Sequence, residues 1–535
     1  MPKLYLLHHL LDNTVAGHAS KEAVVDLVGS RRTFDYSSLH SMATSCATVL
    51  QELGIDRRDR VAIYLPKSAE EAAAVFAPSY ADGVFVSVNA LLLGHQVAHI
   101  LADCGVKYLI TSRKDWKRVR EEVEKVESLC TLLFIDEEDG EVISDRIPAV
   151  FNVMGRKGSA PKAAQAIGED LCGILYTSGS TGKPRGVMLS HRNLLAGSRI
   201  VSTYLEISAS ERILSVVPFS FDYGLNQLLT SVQFGATVVL LQFKFPYEII
   251  RAMKAENITG FAGVPLIWAG LVHHTSGLSD TKLPHLRYIT NTGGMVPTAT
   301  VKALRQLLPT TQIFLMYGLT EAFRSTYLPP SETDRRPGSI GRAIPETEIV
   351  VVNSDGKPCK PGEPGILIHR GPTVSLGYWG KPELTREVIR PHPYIPADQG
   401  GGMVCYSGDL VKTDEDGFIY FIARADGQIK SQGYRISPAE VEEVLMEGGE
   451  LSQAAVIGLP AAEAGEHVHA IVVPVVAGSL NTDVVIKRCA LKLPSYMVPK
   501  SIEVVEALPK TPNGKIDYKL LRAERIAKAQ GATGA

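Results

Sequence analysis

The chain has 535 residues, of which 45% are hydrophobic and 21% are charged, and its formal net charge is −2. This length exceeds what one hydrophobic core usually supports, so we expect two or three domains of ordinary globular composition. The small net charge gives no electrostatic reason to expect nucleic acid or an anionic membrane surface as a partner.

Cysteine usage and hydropathy indicate the expected compartment. The seven cysteines form no CxxC pair and no cluster with histidine, and we interpret them as buried, reduced thiols. The apolar run at the N-terminus is short and is interrupted by His8 and His9, which is unlike a signal peptide. No apolar run approaches the roughly 20 residues of a membrane span. We therefore expect a soluble, cytoplasmic protein.

Short apolar segments alternate with helix-like stretches up to about residue 420. An alanine-rich stretch at 68–80 is predicted to be helical. Strands separated by helices form βαβ units, so this pattern predicts largely parallel sheets. The predicted strands are 61–65, 84–88, 107–111, 131–135, 237–241, 258–262, 286–290 and 312–316.

An internal similarity supports this interpretation. Pro66 and Gly83 flank one helix-like stretch, and Pro218 and Gly235 flank another, with 17 residues from proline to glycine in both cases. Two related βαβ units would place a ligand crevice at the carboxyl ends of their strands. The alternative is that two unrelated βαβ units share the spacing by chance.

The remaining chain changes character. Residues 349–420 are rich in glycine and proline and predict a small β-rich subdomain, with 391–402 as a surface loop. Beyond Asp426 a compact α+β pattern is long enough for a separate domain. The predicted fold is α/β: an N-terminal domain (1–425) of two related βαβ-type subdomains and a small β-rich subdomain, then a small mobile α+β C-terminal domain (426–535).

The segment Tyr176–Gly186 carries three glycines, four aliphatic hydroxyls and two cations directly after an apolar strand. Such a loop offers many donors to one concave spot, as a polyphosphate requires. It is not a Walker A loop, because Lys183 is followed by Pro184, and no GxGxxG can be drawn through it. The alternative is a flexible glycine-rich surface turn.

Four further motifs carry candidate chemistry. Glu321 follows a predicted strand and suits Mg²⁺, or it caps a helix. Gly293 follows another strand, where backbone can lie against an adenine. Asp409 ends a tight turn and suits ribose hydroxyls, or it satisfies its own turn. Lys515 lies on a Pro/Gly loop and would otherwise be a solvated surface charge.

The segment Tyr176–Gly186 closely resembles the phosphate-binding signature of the adenylate-forming ligases, the superfamily of acyl-CoA synthetases, peptide-synthetase adenylation domains and luciferases. The other motifs occur in the family's order, and the resemblance covers about Leu7 to Leu520. It implies that the ATP phosphates are held by Thr177, Ser178, Gly179, Ser180, Thr181, Gly182 and Lys183, the last also counted as catalytic. It implies further nucleotide-binding residues, namely Gly293, Gly294, Tyr317, Gly318, Asp409 and Arg424.

The same resemblance implies catalytic and mobile parts. Glu321 binds Mg²⁺, and Thr320 lies near the phosphate. Lys515 bridges the carboxylate and the α-phosphate during adenylation. Asp426 is the hinge about which the small domain rotates, and Gly433 falls where a pantetheine tunnel passes.

The acid pocket is the informative departure from fatty acyl-CoA synthetases. Phe221-Asp222 resembles the Phe-Asp of amino-acid adenylation domains, whose aspartate pairs with the substrate ammonium. Asp222 would therefore meet a substrate amine, or it would pair with Arg324, since a buried charge demands a partner. Both alternatives disfavour a long alkyl chain. The other residues expected to line the pocket are Tyr223, Asn226, Met316 and Ser325.

Segments 219–228, 289–297 and 314–330 resemble a subgroup of bacterial exosortase-associated AMP-forming acyl ligases, as well as stand-alone adenylation enzymes. We expect ATP-dependent activation of an amino acid or small polar acid, then transfer to a thiol. The expected cofactors are ATP, Mg²⁺ and CoA or carrier-protein phosphopantetheine, and the expected partner is free CoA or a separate carrier protein. The alternatives are an acyl-CoA ligase for a non-amino short or medium acid and, more remotely, a non-catalytic nucleotide-binding module.

Overall fold

The computed structural model describes residues 3–138, 143–156, 160–177, 184–424, 428–461, 465–476, 478, 480–509 and 516–531. The first part of the chain forms seven strands of an eight-stranded sheet, whose eighth strand comes from residues 377–378, and it also supplies two strands to a second sheet. Its elements are α1 (His9–His18), β1 (Glu22–Asp26), β2 (Arg32–Asp35), α2 (Tyr36–Glu52), β3 (Arg60–Tyr64), α3 (Ala69–Tyr80), β4 (Val84–Ser87), α4 (Gly94–Asp103), β5 (Tyr108–Thr111), α5 (Arg113–Val123), β6 (Thr131–Phe134), β7 (Ala149–Val150), β8 (Leu171–Thr177) and β9 (Arg185–Ser190).

The second part builds seven strands of a fourteen-stranded sheet, which is parallel in its centre and antiparallel towards β15 and β16. Its elements are α6 (His191–Leu205), β10 (Arg212–Ser215), α7 (Asp222–Phe234), β11 (Thr237–Leu240), α8 (Pro246–Ala255), β12 (Gly260–Gly263), α9 (Pro265–Val272), β13 (Tyr288–Asn291), α10 (Thr298–Leu307), β14 (Gln312–Tyr317), β15 (Thr326–Leu328) and β16 (Ser339–Ala343).

The predicted internal repeat is present in the topology. The first sheet contains the strand order β4-β3-β5-β6, and the second contains β11-β10-β12-β13, with parallel pairing throughout both sets. The helix between the first two strands is α3 in one unit and α7 in the other. One apolar core contains side chains of α2, α3 and α7, so it joins the two units.

Local sequence explains these elements. Ser68 caps α3 by accepting a hydrogen bond from the backbone N–H of Glu71, and the alanines that follow are strong helix formers. Gly235 ends α7 with φ +67°, a conformation that favours glycine. Strands β4, β5 and β6 are buried at every position, as expected for parallel strands covered on both faces.

The antiparallel extension of the second sheet confirms the predicted β-rich subdomain. Residues 391–402 are mostly loop, as predicted, apart from the strand residue Pro391 and a short 3₁₀ turn. The elements are β17 (Glu348–Val352), β18 (Gly365–Arg370), β19 (Gly377–Tyr378), α11 (Pro382–Val388), β20 (Ile389–Pro391), β21 (Met403–Thr413) and β22 (Ile419–Arg424).

The C-terminal part has its own apolar core, which matches the predicted small α+β domain. A two-stranded hairpin precedes a three-stranded sheet of β25, β26 and β27. The proposed boundary at 425/426 lies outside the described residues and stays a prediction. The elements are β23 (Ile429–Ser431), β24 (Tyr434–Ile436), α12 (Pro438–Met446), β25 (Leu451–Pro460), β26 (Glu466–Pro474), α13 (Thr482–Lys492), β27 (Ser501–Val504) and α14 (Tyr518–Gly531).

One expectation about cysteine needs correction. All seven cysteines are free, but Cys130 is exposed and Cys359 is half-buried, so they are not uniformly core residues. Cys130 immediately precedes β6, at a point where the chain runs along the surface. Among the helices in the described ranges, none combines the length and the hydropathy needed to cross a bilayer.

Close packing between β12 and β13 generates a stability prediction. A Cβ atom on Gly260 would overlap the ring of Tyr288, which is buried on the neighbouring strand beside a cavity of only about 20 Å³. Gly260→Ala should therefore lower the free energy of unfolding by about 1–3 kcal/mol, seen as a lower midpoint of urea unfolding.

The matched control is Gly17→Ala, because a Cβ atom in that α1 position meets nothing within 4 Å. Alanine is the better helix former by roughly 0.5–1 kcal/mol, so this variant should be neutral or stabilised. Equal destabilisation of both variants would contradict the packing explanation.

Candidate active site

A cavity of about 300 Å³ lies where the parallel strands of both sheets end. Ser87 is the last residue of β4 and Thr177 the last of β8, and both line it. From the other sheet, Gly293 lies just beyond β13 and Gly318 just beyond β14. The carboxyl ends of parallel strands are where α/β folds bind ligands. The structure thus places the cavity at the expected crevice.

The C-terminal domain closes this cavity. Lys430, Gln432, Gly433 and Tyr434 from the β23–β24 hairpin line it, and so does Tyr496. The Lys430 ammonium lies 5.9 Å from the centre of the Tyr317 ring. The small domain therefore contributes groups directly to the site in this arrangement.

Two glycines allow this close approach. Gly293 and Gly433 have φ values of +83° and +87°, in the left-handed region that favours glycine. A Cβ atom on Gly293 would lie 3.1 Å from Gly433 Cα, and one on Gly433 would lie 2.9 Å from Val264. A larger side chain at either position would hold the hairpin away from the large domain.

Tyr434 is the main aromatic contact between the domains. Its ring meets Phe221 of the large domain edge-on at 4.6 Å between centroids, and within the C-terminal domain it stacks on Tyr496 at 3.7 Å. Its hydroxyl also hydrogen bonds with the side chain of Asn89, while burial raises the pKa of the phenol. Phe221 immediately precedes Asp222, so the docked domain touches the segment expected to bind the acid.

A second cavity, of about 520 Å³, shares Thr177 with the first and is also lined by Arg185, Glu321 and Tyr378. Thr177 pairs with Arg185 across the antiparallel strands β8 and β9. The predicted phosphate loop is therefore the connection of a β-hairpin. Six of its predicted residues lie outside the described residues: Ser178, Gly179, Ser180, Thr181, Gly182 and Lys183.

Glu321 is a buried carboxylate held in a defined position. The Tyr378 hydroxyl donates to Glu321 Oε1 over 2.7 Å, and the backbone N–H of Ser375 donates to the Glu321 carbonyl over 2.9 Å. Thr320, one residue earlier, lines the first cavity. Thr320 and Glu321 thus face two adjoining cavities: Thr320 lines the first and Glu321 lines the second.

Tyr317 and Asp409 are joined by a hydrogen bond from the Tyr317 hydroxyl to Asp409 Oδ2, and both side chains are buried. The Asp409 backbone N–H donates to Ser407 Oγ over 3.0 Å. The carboxylate is therefore oriented by a residue of the strand that leads to Glu321. Arg424 pairs with Asp409 through the backbone of β21 and β22, but its side chain lies outside the described part of the structure.

At the acid end of the cavity, Asp222 pairs with Arg324. Arg324 Nη1 donates to Asp222 Oδ2 over 2.8 Å and to the carbonyl of Phe323 over 2.7 Å. Tyr223 lies beside them, with its hydroxyl 2.6 Å from Thr290 Oγ1. Of the two alternatives left open by the sequence, the structure contains the ion pair.

The remaining predicted pocket residues are not all together. Asn226 and Met316 line a separate small cavity of about 20 Å³, on which Tyr223 and Arg324 also border. Ser325 is fully buried, with its Oγ 3.0 Å from His369 Nδ1, and lines neither of the two larger cavities around Thr177. Gly294 faces a neighbouring cavity of about 320 Å³ rather than the one lined by Gly293.

Two further predicted residues, Asp426, the expected hinge, and Lys515, lie outside the described residues. Conversely, Asn89, Lys430, Tyr434 and Tyr496 line the cavity but were not predicted. Tyr434 follows Gly433 directly, so adjacency was a usable signal. Tyr496 follows a Leu-Pro-Ser segment with no motif of its own, and only domain docking brings it to the site.

Comparison with known proteins agrees with this geometry. The family described as AMP-binding enzyme matches residues 11–379, and the AMP-binding enzyme C-terminal domain matches 440–515. A long-chain-fatty-acid–CoA ligase of Bacillus subtilis (strain 168) is 28% identical over 550 residues, covering 97% of this chain and 94% of that protein. A feruloyl-CoA synthase of Amycolatopsis sp. is 31% identical over 483 residues, covering 90% and 92%.

Among solved structures, o-succinylbenzoate CoA synthetase (MenE) of Bacillus subtilis is 23% identical. Bound to its product analogue OSB-NCoA, a double mutant of it aligns with a TM-score of 0.81 over 96% of this chain and 97% of that one. In complex with the acyl-adenylate OSB-AMP, it aligns with a TM-score of 0.67 over the same shares.

The docked arrangement generates a pH prediction through Glu440. Gln96 of the large domain donates to Glu440 Oε1 over 3.3 Å, and burial, with a smaller contribution from Glu443, raises the pKa of Glu440 to about 7. A carboxyl with a raised pKa holds its proton when docked and loses it when exposed, where its pKa is about 4.3. Docking should therefore weaken as pH rises from about 4.5 to 7 and then change no further.

Fluorescence energy transfer between labels on the two domains should show docking weakening with rising pH in the unmodified protein. In Glu440→Gln this pH dependence should be absent. Glu524→Gln, on the exposed surface of α14, should keep the trend. An unchanged pH response in Glu440→Gln would rule out this carboxyl as its source.

Proposed function

This chain belongs to the family of AMP-binding enzymes and is an AMP-forming acid–thiol ligase, and we propose that it activates a small polar acid. In this proposal the acid becomes an acyl adenylate with release of pyrophosphate, and the acyl group then passes to CoA or to carrier-bound pantetheine. We infer a polar acid from the Asp222–Arg324 ion pair in the strand-end cavity.

The first step follows from the chemistry of carboxylates. A carboxylate is a poor electrophile because its negative charge is delocalised, and its attack on the α-phosphate of ATP creates a mixed anhydride that a thiol can open. Two anions must approach one another, so catalysis depends on positioning and on offsetting their charge. We assign the offsetting of negative charge to Lys515, and to Lys183 and the hydroxyls of the loop after Thr177.

Glu321 fits a magnesium ion. Its carboxylate is fixed by Tyr378, faces the cavity that also contains Thr177, and supplies the hard oxygen ligand that Mg²⁺ prefers beside phosphate groups. Bound there, the ion would neutralise phosphate charge. On the nucleotide side we assign Asp409 to the ribose hydroxyls, with Tyr317 orienting its carboxylate.

For the second step we propose that the docked C-terminal domain forms the thiol channel. Gly293 and Gly433 approach each other without side chains, so only backbone atoms lie beside the cavity at this contact. The greater likeness to MenE with its product analogue than with its acyl-adenylate supports assigning this arrangement to thiol transfer. Adenylation would then use a different orientation, which brings Lys515 to the site.

The acid itself has two candidates within the proposal. An amino acid would need its ammonium to displace Arg324 from Asp222, whereas a non-amino polar acid can leave the pair intact. The pair therefore favours the non-amino acid. ATP–pyrophosphate exchange over a panel of amino acids and short acids separates them, and thioester formation with CoA or with a pantetheine-loaded carrier protein identifies the acceptor.

Lys515→Ala should lower ATP–pyrophosphate exchange by about 100-fold or more, because one preorganised charge at the reacting centre contributes that much. ATP binding, measured by calorimetry, should change little. Lys519→Ala, four residues later and exposed on α14, is the matched control and should exchange normally. Normal exchange in Lys515→Ala would contradict its assignment.

Tyr434→Ala should slow thioester formation by about tenfold, since the lost ring contacts are worth roughly 1 kcal/mol or more. Exchange of pyrophosphate should be nearly unchanged, because it needs no docked hairpin. Tyr434→Phe keeps the ring and loses only the hydrogen bond to Asn89. Its rate of thioester formation should therefore lie between that of Tyr434→Ala and that of the unmodified enzyme. Equal loss in both half-reactions would contradict a role confined to thiol transfer.

A further inference from the structure

We propose that the acid ends in a neutral group that both donates and accepts hydrogen bonds, such as a hydroxyl or a carboxamide. The Asp222–Arg324 pair binds this group. The inference rests on the proposed function, because it concerns the acid pocket of the same site.

The pair is buried and internally neutralised. The Arg324 side chain is 2% exposed and that of Asp222 is 13% exposed, and both border the main cavity. One guanidinium nitrogen faces one carboxylate oxygen, so the two charges cancel at short range. What remains towards a ligand is a dipole with an acceptor on Asp222 and donors on Arg324.

The donors of Arg324 are not all used. Within the described part of the protein, its Nε and Nη2 are buried and have no hydrogen-bond partner. Asn226 Nδ2 and Gln227 Oε1 are also buried without a partner, and both residues line the small cavity that borders Arg324. Buried donors and acceptors are costly to leave unpaired, so such a concentration indicates a polar ligand group.

The backbone holds Arg324 in place at some cost. Phe323 has φ +57° and ψ −49°, and the Arg324 N–H donates to the Ala322 carbonyl over 2.6 Å, which is a classic γ-turn, the rare and strained form. A Cβ atom on Gly197 of α6 would overlap the Phe323 ring, so the absence of a side chain there makes room for it. Strain of this kind persists where the surrounding packing enforces it, commonly at functional sites.

Electrostatics select among possible end groups. An ammonium would be attracted to Asp222 but repelled by Arg324. A second carboxylate would be attracted to Arg324 but repelled by Asp222. A methyl group would leave the Arg324 donors unpaired. A hydroxyl or carboxamide accepts from Arg324, donates to Asp222 and adds no charge. The neutral pair therefore suits a neutral, bifunctional group.

Much of the remaining wall of the main cavity is apolar, although Ser220 also lines it. Its wall includes Val217, Phe221, Val264 and Ile267, and the guanidinium lies 5.0 Å from the centre of the Tyr223 ring. Apolar walls with a few placed polar groups are typical of small-molecule sites. The acid should accordingly have an apolar or aromatic middle and a polar end.

The experiment measures pyrophosphate exchange with acids that differ only at the far end. One series is hexanoate, 6-hydroxyhexanoate, 6-aminohexanoate and hexanedioate, and the other is 4-ethyl-, 4-hydroxymethyl-, 4-aminomethyl- and 4-carboxymethylbenzoate. The hydroxyl member should exceed the others of its series in kcat/KM by about 100-fold or more, because a site built to hydrogen bond a hydroxyl rejects analogues that lack it.

Two variants test the pair itself. Asp222→Asn keeps the shape but leaves the Arg324 charge unbalanced, so preference should move to the dicarboxylate. The double variant Asp222→Leu/Arg324→Met replaces both charges by apolar groups, a change that folded proteins often tolerate. It should lose the preference for hydroxyl over methyl, to within about tenfold. Urea unfolding checks that both variants remain folded.

Arg199→Met is the matched control, because Arg199 forms an exposed ion pair with Glu346 on the surface of α6. Its preferences should equal those of the unmodified enzyme. Exchange with methyl- or ammonium-ended acids as fast as with hydroxyl-ended ones would overturn this inference alone. Absence of exchange with every acid tested would overturn the proposed function as well.

Discussion

Two parallel sheets with the same strand order share one apolar core, and this packing brings the carboxyl ends of their strands to a single crevice. Each strand end supplies a short segment rather than a long loop. Thr177, Gly293 and Gly318 therefore reach one cavity from three strands that are far apart in sequence. The chemistry of the site depends on this convergence, because no single segment carries both the nucleotide and the acid contacts.

Within the crevice, each buried carboxylate is oriented by one partner from another segment. Tyr378 holds Glu321, Tyr317 holds Asp409, and Arg324 holds Asp222. Buried charges are stable only when they are paired or hydrogen bonded. The three carboxylates are placed differently: Glu321 lines the cavity that it shares with Arg185, Asp222 lines the strand-end cavity, and Asp409 is buried and lines neither of the two.

Much of the fold was predictable, because buried parallel strands are short, continuous apolar runs. Each of the eight predicted strands of the two βαβ-type subdomains overlaps an observed strand, with ends that differ by no more than two residues. The repeat of Pro66–Gly83 and Pro218–Gly235 matches two units of identical topology. The environment of Cys130 was not predictable in the same way, since exposure depends on what packs over a position.

The candidate site was predictable only in part. Motifs after strand ends pointed to Glu321 and Gly293, because local sequence determines where a strand stops and which residue follows it. Asp409 was expected at the end of a tight turn, but it lies inside the strand β21. Tyr496 has no such signal: it stacks on Tyr434 inside the C-terminal domain, and only the docking of that domain brings it to the cavity.

The sequence by itself determined the two related βαβ units, the hydroxyl-rich loop and the presence of a charge at Asp222. Whether that charge faces an amine or Arg324 was decided by tertiary structure alone. The two residues are 102 positions apart, and the turn at Phe323, whose ring packs against Gly197, places the guanidinium at the first turn of α7. The sequence shows which charged side chains exist. Whether two of them neutralise each other depends on the distance between them, which is fixed only when the core is packed.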